Sequence, residues 1–104
     1  GLPSDSFMFI GFLPKKKGRN KKLNELKNLN SSIILYESPK RIQKTLNDMH
    51  KAFGNRKVFL IREMTKIYEE SYYTDFDSII SNNYNFKDKG EYTIVVAKEG
   101  YGIE

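Results

Sequence analysis

The sequence predicts a single α/β (α+β) domain with a five-stranded mixed sheet and two to three flanking helices. The chain has 104 residues, a length that suits one hydrophobic core. Short apolar runs typical of buried strands alternate with stretches in which apolar residues recur at helical spacing. Two strand-like stretches also follow one another late in the chain. They add an antiparallel pair to the parallel pairing that strand–helix–strand alternation favours.

The first third of the chain predicts a strand and a short helix. Residues 7–13 (FMFIGFL) form a continuous apolar run that is too short for a helix and stops at Pro14. Residues 15–22 (KKKGRNKK) are strongly basic. An amphipathic helix is expected to grow out of this segment, because leucines follow at three-residue spacing at positions 23, 26 and 29. The sequence Asn30-Ser31-Ser32 is expected to end this helix.

The middle of the chain predicts a strand, a longer helix and another strand. Residues 33–36 (IILY) form the second buried strand. Ser38 is the expected N-cap of the helix and Pro39 its first residue, since hydroxyl side chains and proline favour these positions. Gly54 is typical of a helix C-terminus. Between these ends runs an apolar stripe of Ile42, Leu46, Met49 and Phe53. Residues 58–61 predict the third strand.

The last third predicts two strands around a short helix. Residues 68–73 have mixed polarity, which favours a strand at the edge of the sheet. Asp75 is expected to cap a helix, because a carboxylate can accept hydrogen bonds from free backbone N–H groups. The apolar side chains of that helix are Phe76, Ile79 and Ile80. Residues 91–97 (EYTIVVA) predict the final strand.

Composition narrows the possible functions. The chain has no cysteine and one histidine, which excludes a disulfide framework and a thiolate metal site, and we predict no metal. No apolar stretch approaches the roughly 20 residues that cross a bilayer, and residues 1–5 do not resemble a signal peptide. We therefore expect a cytoplasmic protein without a membrane partner. The net charge of +5 favours polyanionic partners.

The basic segment, residues 15–22, is the first candidate binding site. Its cations can neutralise phosphates, and Gly18 would let the backbone approach a ligand closely. The alternative is a solvated loop with scattered lysines. The six basic side chains are Lys15, Lys16, Lys17, Arg19, Lys21 and Lys22.

Two further polar clusters lie near predicted strand ends. Residues 36–41 (YESPKR) stand where the second strand meets a helix, a position at which open α/β sheets bind ligands. Helix capping alone can account for Ser38, so this residue need not have a functional role. Glu37 and Arg41 are either part of a binding site or form an ion pair across the first turn of the helix. Residues 62–66 (REMTK) follow the third strand. They form either a polar site or a charged hairpin with surface ion pairs.

Five segments, taken in order, resemble one known family. They are residues 1–7 (GLPSDSF), 11–18 (GFLPKKKG), 36–41 (YESPKR), 62–66 (REMTK) followed by Glu69 and Glu70, and Gly90-Glu91-Tyr92 before an apolar strand. This series resembles the C-terminal half of the ribosomal RNA small-subunit methyltransferase I family, a branch of the tetrapyrrole methylase superfamily. The resemblance covers nearly the whole chain.

The resemblance implies an enzyme that uses S-adenosylmethionine to methylate the ribose 2′-hydroxyl of a cytidine in 16S rRNA. Members of the family have an N-terminal domain with a Gly-rich cofactor loop, and the cofactor lies between the two domains. Residues 1–104 are therefore expected to be a C-terminal domain that holds half of the active site and is inactive alone. The expected partners are 16S rRNA in the 30S subunit, the N-terminal domain, and a second subunit in a homodimer.

The resemblance also implies which residues face the active site. Tyr36, Glu37 and Ser38 are expected beside the cofactor. The basic segment is expected to bind rRNA phosphates, and no residue is assigned as a catalytic base. The expected substrate cleft consists of Arg41, Arg62, Glu63, Thr65 and Lys66, of which Arg41, Arg62 and Lys66 are expected nearest the RNA.

Two other functions stay open. A methylase acting on a corrin or porphyrin belongs to the same superfamily, but a substrate that small needs no long basic segment. A stand-alone RNA-binding module would bind RNA unaided and would have no partner domain.

Overall fold

Five strands and three helices follow one another in the predicted order. The computed structural model describes residues 7–63, 69–81, 86 and 89–99 in full, and the backbone alone at 64, 65 and 68. In chain order the elements are β1 (Phe7–Phe12), α1 (Arg19–Lys27), β2 (Ser32–Glu37), α2 (Ile42–Phe53), β3 (Lys57–Thr65), β4 (Tyr68–Asp75), α3 (Phe76–Ser81) and β5 (Glu91–Val96). The predicted α+β fold with a five-stranded mixed sheet is confirmed. None of the described helices is long and apolar enough to cross a membrane.

The strands form one sheet in the order β1-β2-β5-β3-β4. β1 and β2 are parallel, whereas β5 runs antiparallel between β2 and β3, and β4 pairs antiparallel with β3. The carboxyl ends of β1, β2 and β3 therefore meet the start of β5 at one end of the sheet. β4 lies at an edge, as its mixed polarity predicted.

The hydrophobic core lies between one face of the sheet and the three helices. Leu35, Leu60 and Ile94 project from that face and are at most 1% exposed. Burying such a side chain contributes roughly 1.5–3 kcal/mol. Leu26 and Leu46 bring α1 and α2 onto the same core. The opposite face has no described helix over it, and its side chains are half-buried or exposed.

The apolar stripe of α2 is buried as predicted, but the helix begins later than the Ser-Pro signal suggested. Its first residue is Ile42, and its N-cap, Arg41, makes no side-chain capping bond. Ser38 instead opens a turn in which its carbonyl accepts a hydrogen bond from the Arg41 amide. The prediction that Ser38 caps α2 is wrong, because its side chain lies beside Glu37. Gly54 ends the helix at φ 75°, as predicted.

The third strand is longer than its apolar run. Its predicted limits were residues 58–61, but β3 continues to Thr65 because Arg62 and Glu63 keep the ladder with β4 and β5. The polar residues that were expected to follow the strand are therefore part of it. Asp75 caps α3 as predicted, since its Oδ1 accepts a hydrogen bond from the Ser78 amide at 2.7 Å.

β1 contains an irregularity that changes the direction of its last side chain. The register with β2 shifts between Phe9 and Gly11, so that Phe9 pairs with Ile34 and Phe12 with Tyr36. In a regular strand, side chains three residues apart point to opposite faces of the sheet. Because β1 has one extra residue between Phe9 and Phe12, these two side chains point to the same face. Gly11 permits this bulge at φ 80°, a backbone conformation that costs other residues energy.

Candidate functional site

A cleft of about 480 Å³ opens where β1 and β2 end and β5 begins. Ligands of α/β sheets gather at such carboxyl ends, and the size suits a small molecule. All three residues that were predicted to lie beside the cofactor line it. The complete lining is Phe12, Tyr36, Glu37, Ser38, Pro39, Gly90, Glu91 and Tyr92.

One wall of the cleft is aromatic. The Tyr36 ring lies 5.8 Å from that of Phe12 and 5.3 Å, edge to face, from that of Phe9. These centroid distances are typical of attractive aromatic pairs. The β1 bulge is the reason that both phenylalanines reach Tyr36. Since Phe12 is 67% exposed and Tyr36 40%, their faces are available to a planar ligand.

Glu37 stabilises the next part of the wall from inside the protein. Its carboxylate is buried, with Oε1 accepting a hydrogen bond from the Ser38 amide at 2.8 Å. Oε2 accepts a hydrogen bond from the Thr45 hydroxyl at 2.6 Å. Both oxygens are engaged within the protein, so Glu37 shapes the Ser38 wall. The described contacts contain no pairing of Glu37 with Arg41, the structural alternative considered for these two residues.

Arg62 lies behind the opposite wall and does not line the cleft. It is 2% exposed and donates to Glu70 Oε1 at 2.9 Å and to the Lys89 carbonyl at 3.2 Å. The expectation that Arg62 lies in the substrate cleft near RNA does not fit this placement, because its guanidinium is enclosed. Its contact with Lys89 instead holds the turn that supplies Gly90 to the cleft.

The Arg62 ion pair shifts two pKa values. The hydrogen bond to Glu70 raises the pKa of Arg62. Tyr72 donates to the other oxygen of Glu70 at 2.8 Å, and this hydrogen bond, aided by burial, raises the pKa of the phenol. Both groups therefore keep their protons at neutral pH. Residues 62–66 were predicted to form either a polar site or a charged hairpin with surface ion pairs. The hairpin fits the geometry, but the ion pair between Arg62 and Glu70 is largely buried rather than on the surface.

The rest of the predicted substrate cleft is dispersed. Glu63 is exposed and pairs in register with Glu69 on one side and Glu91 on the other. This acidic strip, Glu63, Glu69 and Glu91, touches the cleft through Glu91 alone. Lys66 and the side chain of Thr65 lie outside the described residues.

The basic segment divides into exposed lysines and one buried arginine. The lysines at 15, 16, 17 and 21 are exposed and Lys22 is half-buried. Arg19 is 6% exposed and donates to Asp48 Oδ2 at 3.0 Å and to the Pro14 carbonyl at 3.0 Å. Its expected contact with phosphate does not fit this position, because both bonds direct the guanidinium inward against α2.

Arg41 joins the basic segment to the entrance of α2. It is half-buried, and its Nη2 donates to the Lys15 carbonyl at 3.3 Å. Lys40 is exposed beside it, and Lys44 follows one turn into α2 with a 60% exposed side chain. We call the exposed cations Lys15, Lys16, Lys17, Lys21, Lys40 and Lys44 the basic surface. Two separately predicted clusters therefore meet where Arg41 contacts Lys15, directly after the cleft residues Ser38 and Pro39 in the chain.

Several residues of the site were missed from the sequence. Thr45 was overlooked, although a hydroxyl between Ile42 and Met49 on the apolar face of α2 is a signal for a buried polar contact. Phe12 was assigned to a strand and to a family motif but not to the site, because nothing in a single sequence marks the bulge that turns its side chain toward Tyr36. Tyr92 was noted only as part of a motif.

No family model matches the chain. Curated relatives named "Ribosomal RNA small subunit methyltransferase I" do match. The relative from Halalkalibacterium halodurans is 42% identical over 100% of this chain and 36% of its own length. That from Thermotoga maritima is 40% identical over 93% of this chain and 44% of its own length. A third, from Vibrio cholerae, is 52% identical over 66% of this chain and 25% of its own length.

The chain thus spans 25–44% of the length of these curated relatives. The alignment with the Halalkalibacterium halodurans relative covers the whole chain, so it includes every strand and helix described above. The resemblance indicated by the motifs is confirmed, and the chain belongs to the ribosomal RNA small subunit methyltransferase I family.

Proposed function

We propose that this chain is the C-terminal domain of an S-adenosylmethionine-dependent enzyme that methylates the ribose 2′-hydroxyl of a cytidine in 16S rRNA. An N-terminal domain of the same protein would complete the active site. The names of the relatives support a methyltransferase acting on ribosomal RNA, and the matched share of their length supports a further domain. The donor, the cytidine and the 2′ position are what the resemblance to this family implies.

The juxtaposition of the cleft and the basic surface is the observation that supports this function most directly. β1 ends with Phe12 in the cleft, and the connection after it carries Lys15, Lys16 and Lys17. β2 supplies Tyr36 to the cleft, and the connection after it supplies Ser38 to the cleft and carries Lys40. A polyanion bound by these lysines would therefore lie beside the ligand in the cleft, which is the arrangement that group transfer to RNA requires.

The cleft suits one part of S-adenosylmethionine. Exposed rings of Phe12 and Tyr36 offer a stacking surface for a planar base, and the backbone at Ser38 and Gly90 offers polar groups beside them. The cofactor, when bound, would supply a methyl group on a positively charged sulfur. The chain's own contribution is to bind and orient: Tyr36 and Ser38 form the contact surface, and Glu37 fixes Ser38 from behind.

The basic surface suits the RNA backbone. Lysines neutralise phosphates without reading sequence, so they position the RNA and leave the choice of nucleotide to other contacts. The target ribose has to be accessible, which favours a single-stranded or splayed segment of rRNA. The acidic strip would repel phosphates, so the RNA would approach the cleft from the side of α1.

Three further properties belong to this proposal. The isolated chain is inactive, because it holds only one side of the cofactor site. The complete protein acts as a homodimer in the cytoplasm. Its substrate is the 30S subunit, in which the 16S rRNA is already folded.

Methyl transfer to 30S subunits that lack the modification tests the function. The full-length protein, this chain alone and full-length Tyr36→Ala are incubated with labelled S-adenosylmethionine. We expect incorporation at one cytidine ribose by the full-length protein, at least a tenfold loss in Tyr36→Ala, and none by the chain alone. Tyr73→Ala is the matched control, since Tyr73 is another exposed tyrosine, on β4 at the far edge of the sheet, and it should behave as wild type.

Other outcomes would contradict the proposal in distinct ways. A full-length protein that binds the cofactor but methylates a corrin or porphyrin instead of rRNA would indicate the sister activity. An isolated chain that binds rRNA as tightly as the full-length protein, with no cofactor bound by either, would indicate an RNA-binding module.

A further inference from the structure

We propose that Arg19, Thr45 and Glu37 form one positioning unit that fixes the Ser38 wall of the cofactor cleft relative to the basic surface. This inference rests on the proposed function. It assigns a role to Thr45, which lies behind the cleft and does not line it, and it replaces the phosphate-binding role expected for Arg19. The unit joins three elements, because Arg19 begins α1, Glu37 ends β2 and Thr45 lies in α2.

The direction of every hydrogen bond in the unit follows from chemistry. A guanidinium can only donate, so Arg19 Nη2 donates to the Thr45 hydroxyl oxygen at 2.9 Å. The hydroxyl has a single proton, which Thr45 therefore donates to Glu37 Oε2 at 2.6 Å. The short distance is typical of an O–H donor on an ionised carboxylate. Glu37 Oε1 then accepts the bond from the Ser38 amide.

The unit is buried and its charges balance. Thr45 is 1% exposed, and Arg19 and Glu37 are each 6% exposed. Asp48 accepts from Arg19 and lies 3.6 Å from the Lys44 ammonium, so two cations face two carboxylates. Losing one member would leave a buried charge without its partner, which is costly inside a protein. Such a network is stiff because no member can rotate without breaking a bond.

The unit has a functional consequence because its two ends lie at two parts of the site. At one end Arg19 also binds the Pro14 carbonyl, next to the lysines of the basic surface. At the other end Glu37 holds the Ser38 amide in the cleft wall. The distance between bound RNA and bound cofactor is then set by three side chains rather than by two independent loops. When the unit is broken, the Ser38 wall loses its support, and a cofactor that contacts this wall should bind less tightly.

Thr45→Val and Thr45→Ser in the full-length protein provide the test. Valine keeps the shape of threonine but has no hydroxyl, whereas serine keeps the hydroxyl. We expect Thr45→Val to raise the KM for S-adenosylmethionine about tenfold, the scale of one charge-assisted hydrogen bond. Its kcat at saturating cofactor should stay within about twofold of wild type. Thr45→Ser should restore the KM. Thr74→Val is the matched control on β4 and should leave both constants unchanged.

The split between KM and kcat separates positioning from a merely structural role. A variant that only loses stability has fewer folded molecules, which lowers kcat and leaves the KM unchanged. A wild-type KM in folded Thr45→Val, or a serine variant as impaired as the valine variant, would overturn the proposal. If Thr45→Val does not fold, Glu37→Gln replaces it: the KM should again rise, and a wild-type KM there would overturn the proposal. A wild-type protein that transfers no methyl group would instead contradict the proposed function itself.

Discussion

Arg19 and Arg62 are cations held inside the domain by carboxylates from neighbouring elements. Arg19 donates to Asp48, and Arg62 donates to Glu70, over separations of 29 and 8 residues along the chain. Each guanidinium also binds a backbone carbonyl that lies next to the proposed site. Arginine suits this task, because its planar fork donates in several fixed directions at once. These two residues therefore shape the site without touching a ligand.

At the residue scale, Arg62→Ala should lower the free energy of unfolding clearly more than Lys57→Ala does, because it removes the cation from an ion pair that is largely buried. Urea unfolding followed by circular dichroism measures this loss. Lys57→Ala is the control: its pair with Asp75 at 3.8 Å is looser and more exposed, and its removal should cost about 1 kcal/mol or less. Equal losses in the two variants would contradict the buried role of Arg62.

At the scale of elements, the α3 cap links stability to pH. Asp75 lies between β4 and α3, and the backbone hydrogen bond from Ser78 lowers the pKa of its carboxyl below the ordinary value of 3.8. A group whose pKa is lower in the folded state stabilises that state at pH values above the unfolded pKa. The stabilisation is lost as the pH falls below 3.8 through the folded value.

Asp75→Ala should lower the free energy of unfolding by about 1 kcal/mol at neutral pH, because α3 loses its N-cap. The difference from wild type should shrink as the pH falls below 3.8. Urea unfolding between pH 2 and pH 7 checks both expectations. Asp75→Asn is the control, since asparagine also caps helices but does not titrate. A wild-type protein with the same acid response as this variant would contradict the assignment.

At the scale of the whole molecule, charge is divided between two parts of the surface. The basic surface lies along the connections into α1 and α2, whereas the acidic strip crosses β3, β4 and β5. This asymmetry would orient an approaching polyanion before any specific contact forms. The net charge of +5 therefore understates how strongly one side of the domain attracts polyanions.

Replacing Lys15, Lys16 and Lys17 with alanine should flatten the salt dependence of rRNA binding by the full-length protein. Each lost phosphate contact on single-stranded RNA lowers the slope of log K against log salt by about 0.7, so three should lower it by about 2. Binding titrations at several KCl concentrations measure the slope. Lys27→Ala, at the far end of α1, is the control and should keep the wild-type slope. An unchanged slope in the triple variant would remove these lysines from the RNA interface.

Much of the fold could be predicted from local patterns, whereas the hydrogen bonds and ion pairs of the candidate site could not. The α2 stripe and the mixed polarity of β4 are periodic signals that survive in one sequence. Arg19 was misjudged, because its partner Asp48 is distant in the chain and its charge alone suggests exposure. Ser38 was misjudged because a Ser-Pro pair is typical of helix starts, and only the contact with Glu37 reveals the turn. Long-range hydrogen bonds leave no periodic trace.

The bulge at Gly11 lets one short strand serve both the core and the cleft. Deleting Ile10 would give β1 an uninterrupted ladder with β2 and would leave Phe12 opposite Tyr36, on the same face as Phe9. The shortened strand should then be the more regular of the two. The same deletion would remove the Ile10 side chain, which packs against the hydrophobic core. The extra residue of β1 therefore adds an apolar contact to the core while both phenylalanines still face the ligand.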